Sequence, residues 1–366
     1  MVVVKSFLKI LLTSMLVLFG MLSTGCRSQN ASFEYLFEDA ISIEGEHLEE
    51  KYLTPFSFKC FYSSDSFLGT MTLPNKQIIH KVDLHSGKVL FSAVSKGRGP
   101  GEILTSLPHI DYVDGSLYVG DIATNRIKRI TSDGDSLLVE DFTTIKYNVP
   151  TIMAEMKVVS DTLFAIFGYG RTSHNILMAN KSGVVTDSIP YTILDDTKID
   201  HSKVGPFYVS MAISPDRNYL FICNKTYNHI RKYQIEKNAI NYISQYNLTD
   251  PKYKIKSGKP IQTGDNMTFW GELFLGDKYI YLVANPEYRK DFELRKNIAT
   301  REGNTVTALP DKDSYILVFD YDFNYVRSYL CDGHFSWITL TNNPTIIYAA
   351  NEREHCLTKY TLTGLE

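Results

Sequence analysis

One unit recurs along this chain: an apolar strand carrying an aromatic residue, a polar loop, an alternating strand, a tight turn and a further strand. Six copies can be counted, and a repeat that fills a sequence constrains its fold more than any isolated motif does. Second strands are read at Leu117–Asp121, Leu163–Ile166, Leu220–Cys223, Tyr279–Val283 and Ile346–Ala350, with a less regular first copy around Phe67–Leu73. Third strands follow at Ile78–Leu84, Arg126–Thr131, Asn175–Asn180, His229–Ile235, Tyr315–Tyr321 and Leu357–Leu362. The pairs Ser86-Gly87, Asp133-Gly134 and Ser182-Gly183 are hairpin formers, because glycine takes positive φ without a steric penalty. Units of roughly 40 to 60 residues have the size of propeller blades. The expected fold is all-β: a six-bladed β-propeller with four antiparallel strands per blade. A pair of β-sandwiches is the rival architecture, and it leaves the repeat unexplained.

The two ends of the repeat point to ring closure. The sixth unit runs out at Glu366 after its third strand, while Asp39–Glu44 is a spare alternating segment whose Ala40, Ile41 and Ile43 would supply the outer strand beside Leu357–Leu362. Closure of that kind removes an exposed sheet edge. The composition agrees, since 24 Tyr and 20 Phe against 2 Trp favour strands. The fifth unit carries a long insertion, residues 286–313, whose first half from Glu287 to Ile298 has helical character; insertions of this length are usually functional or mobile. With 38 basic and 41 acidic residues and no basic block, the chain lacks the footprint of a nucleic-acid binder.

The N-terminus reads as an address. Lys5 and Lys9 precede an apolar run from Ile10 to Leu22, too short to span a bilayer, and Ser23, Thr24 and Gly25 lead to Cys26. The expectation is a signal peptide over residues 1–25, a lipidated tether over 26–36 attached to the membrane through Cys26, and the ring over 37–366. Removing 25 of the 366 residues takes two lysines and moves the net charge from −3 to −5. Cys60, Cys223, Cys331 and Cys356 remain, widely spaced and without a Cys-x-x-Cys pair. They are expected to be free and buried, with two disulfides as the other possibility and zinc disfavoured.

Ser23-Thr24-Gly25-Cys26 resembles the lipobox of bacterial lipoproteins, with Ser23 where a Leu is usual. Lys96-Gly97-Arg98-Gly99-Pro100-Gly101-Glu102 resembles the Gly-x-Gly-Pro-Gly-Glu signature of TolB-like six-bladed propeller lipoproteins. The stretch from His109 to Asp121, followed by Asn125-Arg126-Ile127, is similar to the second blade of that family. Ser214-Pro215-Asp216-Arg217 is similar to its Ser-Pro-Asp-Gly turn, with Arg217 in the glycine position. The resemblance implies a propeller in the cell envelope of a Gram-negative bacterium, periplasmic or surface-facing, and brings no settled activity.

Catalytic motifs are poor: there is no Gly-x-Ser-x-Gly and no His-Glu-x-x-His, and His80 and His85 face opposite sides of a strand. The loop around Arg98 lacks the Gly-Lys-Ser/Thr of a nucleotide cradle, so it reads as a tight corner, and no cofactor or metal is implied. That corner and the second-to-third strand loops should open on one face of the ring. Arg98, Glu102, Asn125, Arg126, Arg171, His174, Asn224, Tyr227 and Arg289 are the candidate residues for binding a small ligand, a glycan or a protein there, with charge-assisted hydrogen bonds from arginine orienting it. The expected function is a non-enzymatic binding or scaffolding module. The alternative is a hydrolase or lyase with a metal-assisted central site, built from loops of distant blades.

Overall fold

A computed structural model describes residues 35–51, 59–63, 66–70, 77–83, 88–99, 101–104, 109–133, 136–147, 151–170, 174–192, 194, 196–200, 209–237, 239–269, 271–301 and 312–365. Residues 36–366 form one compact unit. Six sheets account for its body, each with four antiparallel strands in simple up-and-down order. Blade 1 is Lys59–Ser63, Ser66–Thr70, Gln77–Asp83 and Val89–Ser95; blade 2 is His109–Val113, Ser116–Asp121, Arg126–Asp133 and Ser136–Thr144. Blade 3 is Thr151–Ser160, Leu163–Gly170, His174–Asn180 and Val185–Pro190; blade 4 is Val209–Ile213, Tyr219–Asn224, His229–Glu236 and Ala239–Asn247. Blade 5 is Leu273–Leu275, Tyr279–Ala284, Tyr315–Asp320 and Tyr325–Cys331; blade 6 is Ile338–Leu340, Ile346–Asn351, Cys356–Thr361 and, from the N-terminus, Glu46–Lys51. First strands of blades 1 to 5 neighbour one another in turn around the axis, and the first strand of blade 6 lies against that of blade 1.

Burial follows the radial position of each strand. Second strands are sandwiched between neighbouring blades, so Tyr219–Asn224 and Tyr279–Ala284 are buried beyond their first residue and read as near-continuous apolar runs. Outer strands have one solvated face, and Ala239–Asn247 exposes Asn241, Tyr242 and Ile243. The core is correspondingly a series of layers between blades. Ala165, Phe167 and Met178 of blade 3 meet Met211, Ile222 and Tyr233 of blade 4, and Val283, Ile316 and Tyr329 of blade 5 meet Ile338, Ile347 and Tyr360 of blade 6. Cys223, Cys331 and Cys356 are buried and form no disulfide among the described residues, as expected, and of Cys60 only the backbone is described.

Closure is made by the N-terminal segment, but by a different stretch from the expected one. Glu46–Lys51 is the antiparallel fourth strand of blade 6, pairing Glu46 with Lys359 and His47 with Thr358. Ile41–Ile43 instead adds a parallel fifth strand to blade 5, opposite Tyr329–Cys331. The reason is packing: Ile43 fills the layer between blades 5 and 6 against Tyr281 and Tyr329, while Gly45, bonded through its N–H to Asp332 at 3.0 Å, turns the chain across to the last blade. A side chain at Gly45 would collide with Thr358 and Tyr360.

The insertion is a short strand, Pro286–Tyr288, followed by the helix Arg289–Arg301. A second insertion carries no repeat signal: between blades 4 and 5 the hairpin Tyr253–Lys256 and Lys259–Gln262 leads to Met267–Phe269, which pairs with Pro286–Tyr288. Residues 1–34, 100, 171–173 and 302–311 lie outside the described residues, and with them Cys26, Pro100 and Arg171.

Candidate functional site

Strand alternation sends every second side chain of a first strand toward the axis. In His109-Ile110-Asp111 and Glu155-Met156-Lys157 the apolar members, Ile110 and Met156, are buried between blades, while the polar ones meet around the axis. The result is an axial cavity of about 130 Å3 lined by Asp111, Glu155, Lys157, Ser210, Arg217, Glu272, Phe274 and Trp337 among others. Five blades contribute to it.

Charge is concentrated and shielded there. Lys157 Nζ stands 4.0 Å from Asp111 Oδ1 and 5.9 Å from the centre of the Trp337 ring, and Phe274 packs edge-on against that indole at 4.9 Å. Asp111 also accepts a hydrogen bond from Val158 N–H at 2.8 Å. Burial raises the Asp111 carboxyl above its ordinary value of 3.8, against the pull of Lys157, the Val158 N–H and Arg217. His109 Nδ1 is 3.6 Å from Glu155, beyond hydrogen-bond reach, and both ring nitrogens are buried without a hydrogen-bond partner among the described residues. Lys225 pairs closely with Glu272 at the entrance to blade 5. Among the described residues no three of His, Cys, Asp and Glu come together as a metal-holding group.

Arg217 also lines the cavity, beside Val158. It occupies the glycine position of the Ser-Pro-Asp turn with φ +62°, a strained setting for a residue with a side chain, and its guanidinium donates to Val158 O at 3.0 Å. Ser214 and Asp216 hold the turn, Ser214 Oγ donating to Asp216 at 2.5 Å and Asp216 accepting from Asn218 N–H at 3.1 Å. The turn therefore keeps its shape and gains a cation that glycine could not supply.

Of the sequence-predicted residues, Arg98, Glu102, Asn125, Arg126, Asn224, Tyr227 and Arg289 are described with their side chains, and none of them lines this cavity. Arg98 is exposed on the corner between blades 1 and 2, and Glu102 is folded under that corner, where it accepts a hydrogen bond from Gly99 N–H at 2.6 Å. A side chain at Gly97 would collide with the Glu102 carboxylate, which accounts for the glycine there. Asn125 and Asn224 belong to a turn used in blades 2, 4 and 6. Asp121, Asn224 and Asn351 each accept backbone N–H groups two and three residues on, or in blade 2 the Ala123 N–H and the Thr124 hydroxyl; Asn125, Asn228 and His355 then take positive φ. Tyr227 is buried and donates to Pro260 O at 3.4 Å, Arg289 pairs with Glu293, and Arg126 is exposed. His174 begins the third strand of blade 3, and only its backbone is described. A signal for the axial residues was present in the sequence: charged residues two apart within a strand otherwise largely apolar, as in Glu155 and Lys157.

The sequence matches the TolB-like 6-blade propeller-like family over residues 36–343. No curated protein matches it. Among solved structures, an exported protein of Bacteroides fragilis NCTC 9343 superposes with TM-score 0.52 at 10% identity, covering 87% of this chain and 94% of the other. A luciferin-regenerating enzyme superposes with TM-score 0.50 at 9% identity over 89% and 97%, and the calcium-binding regucalcin of Agrobacterium tumefaciens with 0.49 at 11% over 87% and 95%. At these identities the likeness is one of fold.

Proposed function

The chain belongs to the TolB-like six-blade propeller family, and from that premise we propose that it is a cell-envelope lipoprotein, anchored through Cys26, whose ring binds a polar ligand in the axial cavity. The observation that carries this reading is the set of charged groups at the axis. Asp111, Glu155, Lys157, Arg217 and Glu272 face a space that apolar side chains could have filled, although desolvating charges costs several kcal/mol each unless they are paired. The Lys157–Asp111 separation of 4.0 Å leaves hydrogen-bonding capacity on both groups for a guest.

The cavity's size narrows the guest. About 130 Å3 holds roughly four water volumes and falls short of the 300 to 1,000 Å3 of sites that enclose whole drug-sized ligands. The guest is therefore the end group or a single residue of a glycan or peptide, bearing both hydrogen-bond donors and acceptors. Arg98 and Arg126, exposed on the connections of blades 1 and 2, would contact the remainder of such a ligand.

The test is a screen of oligosaccharides and short peptides by calorimetry, repeated with Lys157→Met and Asp111→Asn. Loss of one charge-assisted hydrogen bond, worth about 1.5 to 3 kcal/mol, should weaken binding roughly 10- to 100-fold. Affinity unchanged in both variants but lost in Arg98→Ala with Arg126→Ala would move the site to the rim. For the anchor, Cys26→Ser should release the protein from membranes of the producing cell, and full retention would remove the lipid from the account.

A further inference from the structure

The hairpin between blades 4 and 5 has two unlike faces. Its tip, Ser257-Gly258 with both residues at positive φ, forces the tight twist that pairs Lys256 with Lys259 and Lys254 with Ile261. Directly paired residues share a face, and these four are exposed, Ile261 at 49%. The other face carries Tyr253, Ile255, Pro260 and Gln262. It is fixed to the ring: Tyr253 packs edge-on against Tyr227, Tyr227 donates to Pro260 O, and Gln262 Nε2 donates to Thr226 O at 2.8 Å. Asp200 N–H also donates to Gly258 O at 2.8 Å, tying down the tip.

Nothing inside the protein explains the outward face. From Pro251 to Gly264 there are four lysines and no acidic residue. None of Lys252, Lys254, Lys256 and Lys259 joins an ion pair among the described residues, and Asp250 and Asp265 flank the run at its base. Three cations around one exposed aliphatic side chain, on a rigid projection, form an amphipathic surface suited to anionic headgroups.

Two further observations select the bilayer as the occupant. The first is where the ring's chain begins: Phe37 packs edge-on against Phe269, just beyond the hairpin, at 5.7 Å, and against Tyr315 at 4.7 Å. Nine residues run from Cys26 through Glu34, and such a length reaches at most about 32 Å. The second is local charge. Lys254, Lys256 and Lys259 share one exposed face of the hairpin with no acidic side chain on it, so an anionic surface is attracted there.

We infer that the hairpin Tyr253–Gln262 is a docking surface for an anionic phospholipid bilayer, with Lys254, Lys256 and Lys259 at the headgroups and Ile261 entering between them. This deepens the envelope reading, and its test separates the two. Intact chain carrying Cys26→Ser is sedimented with vesicles of phosphatidylcholine alone and with vesicles containing phosphatidylglycerol. Binding to neutral vesicles reports the N-terminal segment, and the excess on anionic vesicles reports the hairpin.

The excess should vanish at high salt and should fall roughly a hundredfold in Lys254→Gln/Lys256→Gln/Lys259→Gln, at about fivefold per lysine. Lys237→Gln, on the opposite face, should leave it unchanged. In Ile261→Trp, the introduced indole should shift its emission to shorter wavelength on anionic vesicles. No anionic excess, or an excess indifferent to the triple substitution, overturns the inference. So does equally tight binding of soluble dextran sulfate with no emission shift on vesicles, since that describes a polyanion site instead of a bilayer surface.

Discussion

Arg217 holds a backbone conformation that favours glycine, and its guanidinium reaches the axial cavity. Left-handed φ costs a residue with a side chain about 1 to 2 kcal/mol, while the bond to Val158 O recovers a similar amount. Arg217→Gly should therefore leave the melting temperature close to that of the wild type and weaken ligand binding, as read by thermal unfolding and calorimetry on one preparation. A large loss of stability would assign Arg217 to the fold alone. His229 gives a pH-dependent counterpart. Burial, reinforced by Arg231, lowers its pKa from 6.5 to about 3, with the Tyr191 hydroxyl 3.0 Å from its Nε2. The folded state resists protonation that the unfolded chain accepts, so this contribution is intact above 6.5 and is lost as pH falls toward 3. His229→Asn should lose less melting temperature than the wild type between about pH 7 and about pH 5, and parallel profiles would exclude His229 as a source of acid sensitivity.

The closing strand and the added strand beside it make different claims on stability. Glu46–Lys51 completes blade 6, with Leu48 buried, whereas Ile41–Ile43 adds three parallel pairs to a sheet that already has four strands. Leu48→Pro should lower the melting temperature by more than Ser42→Pro, because it replaces a buried side chain and fixes the backbone in the strand that closes the ring. Equal shifts in a thermal melt would place the seam elsewhere. The sequence showed that an N-terminal strand closes the ring and misplaced which one. Alternation in Ile41–Ile43 is regular, while Glu46-His47-Leu48-Glu49-Glu50-Lys51 has a single apolar residue, since an outer strand needs little burial. The second and third strands of blades 2 to 6 were legible because most of their described residues are buried between neighbouring blades. The basic hairpin was not, since Lys254, Ile255 and Lys256 alternate like any surface strand and only the fold fixes which face turns outward.

For the whole molecule, what the sequence concealed is the axis. Loop arginines suggested a site on the rim, yet Asp121, Asn224 and Asn351 show the connecting loops spending polar side chains on their own turns. The cavity residues instead sit on or beside first strands, where distant segments of five blades converge and no local pattern records which partners they meet. Trp337 provides a direct reading of that convergence. The chain has two tryptophans, Trp270 and Trp337, and Trp337 lines the cavity beside Lys157. In a Trp270→Phe background, emission reports the axis alone. A ligand detected by calorimetry should change that emission with the same saturation curve, and Lys157→Met should weaken both signals together. Calorimetric binding that leaves the Trp337 emission unchanged would contradict an axial site.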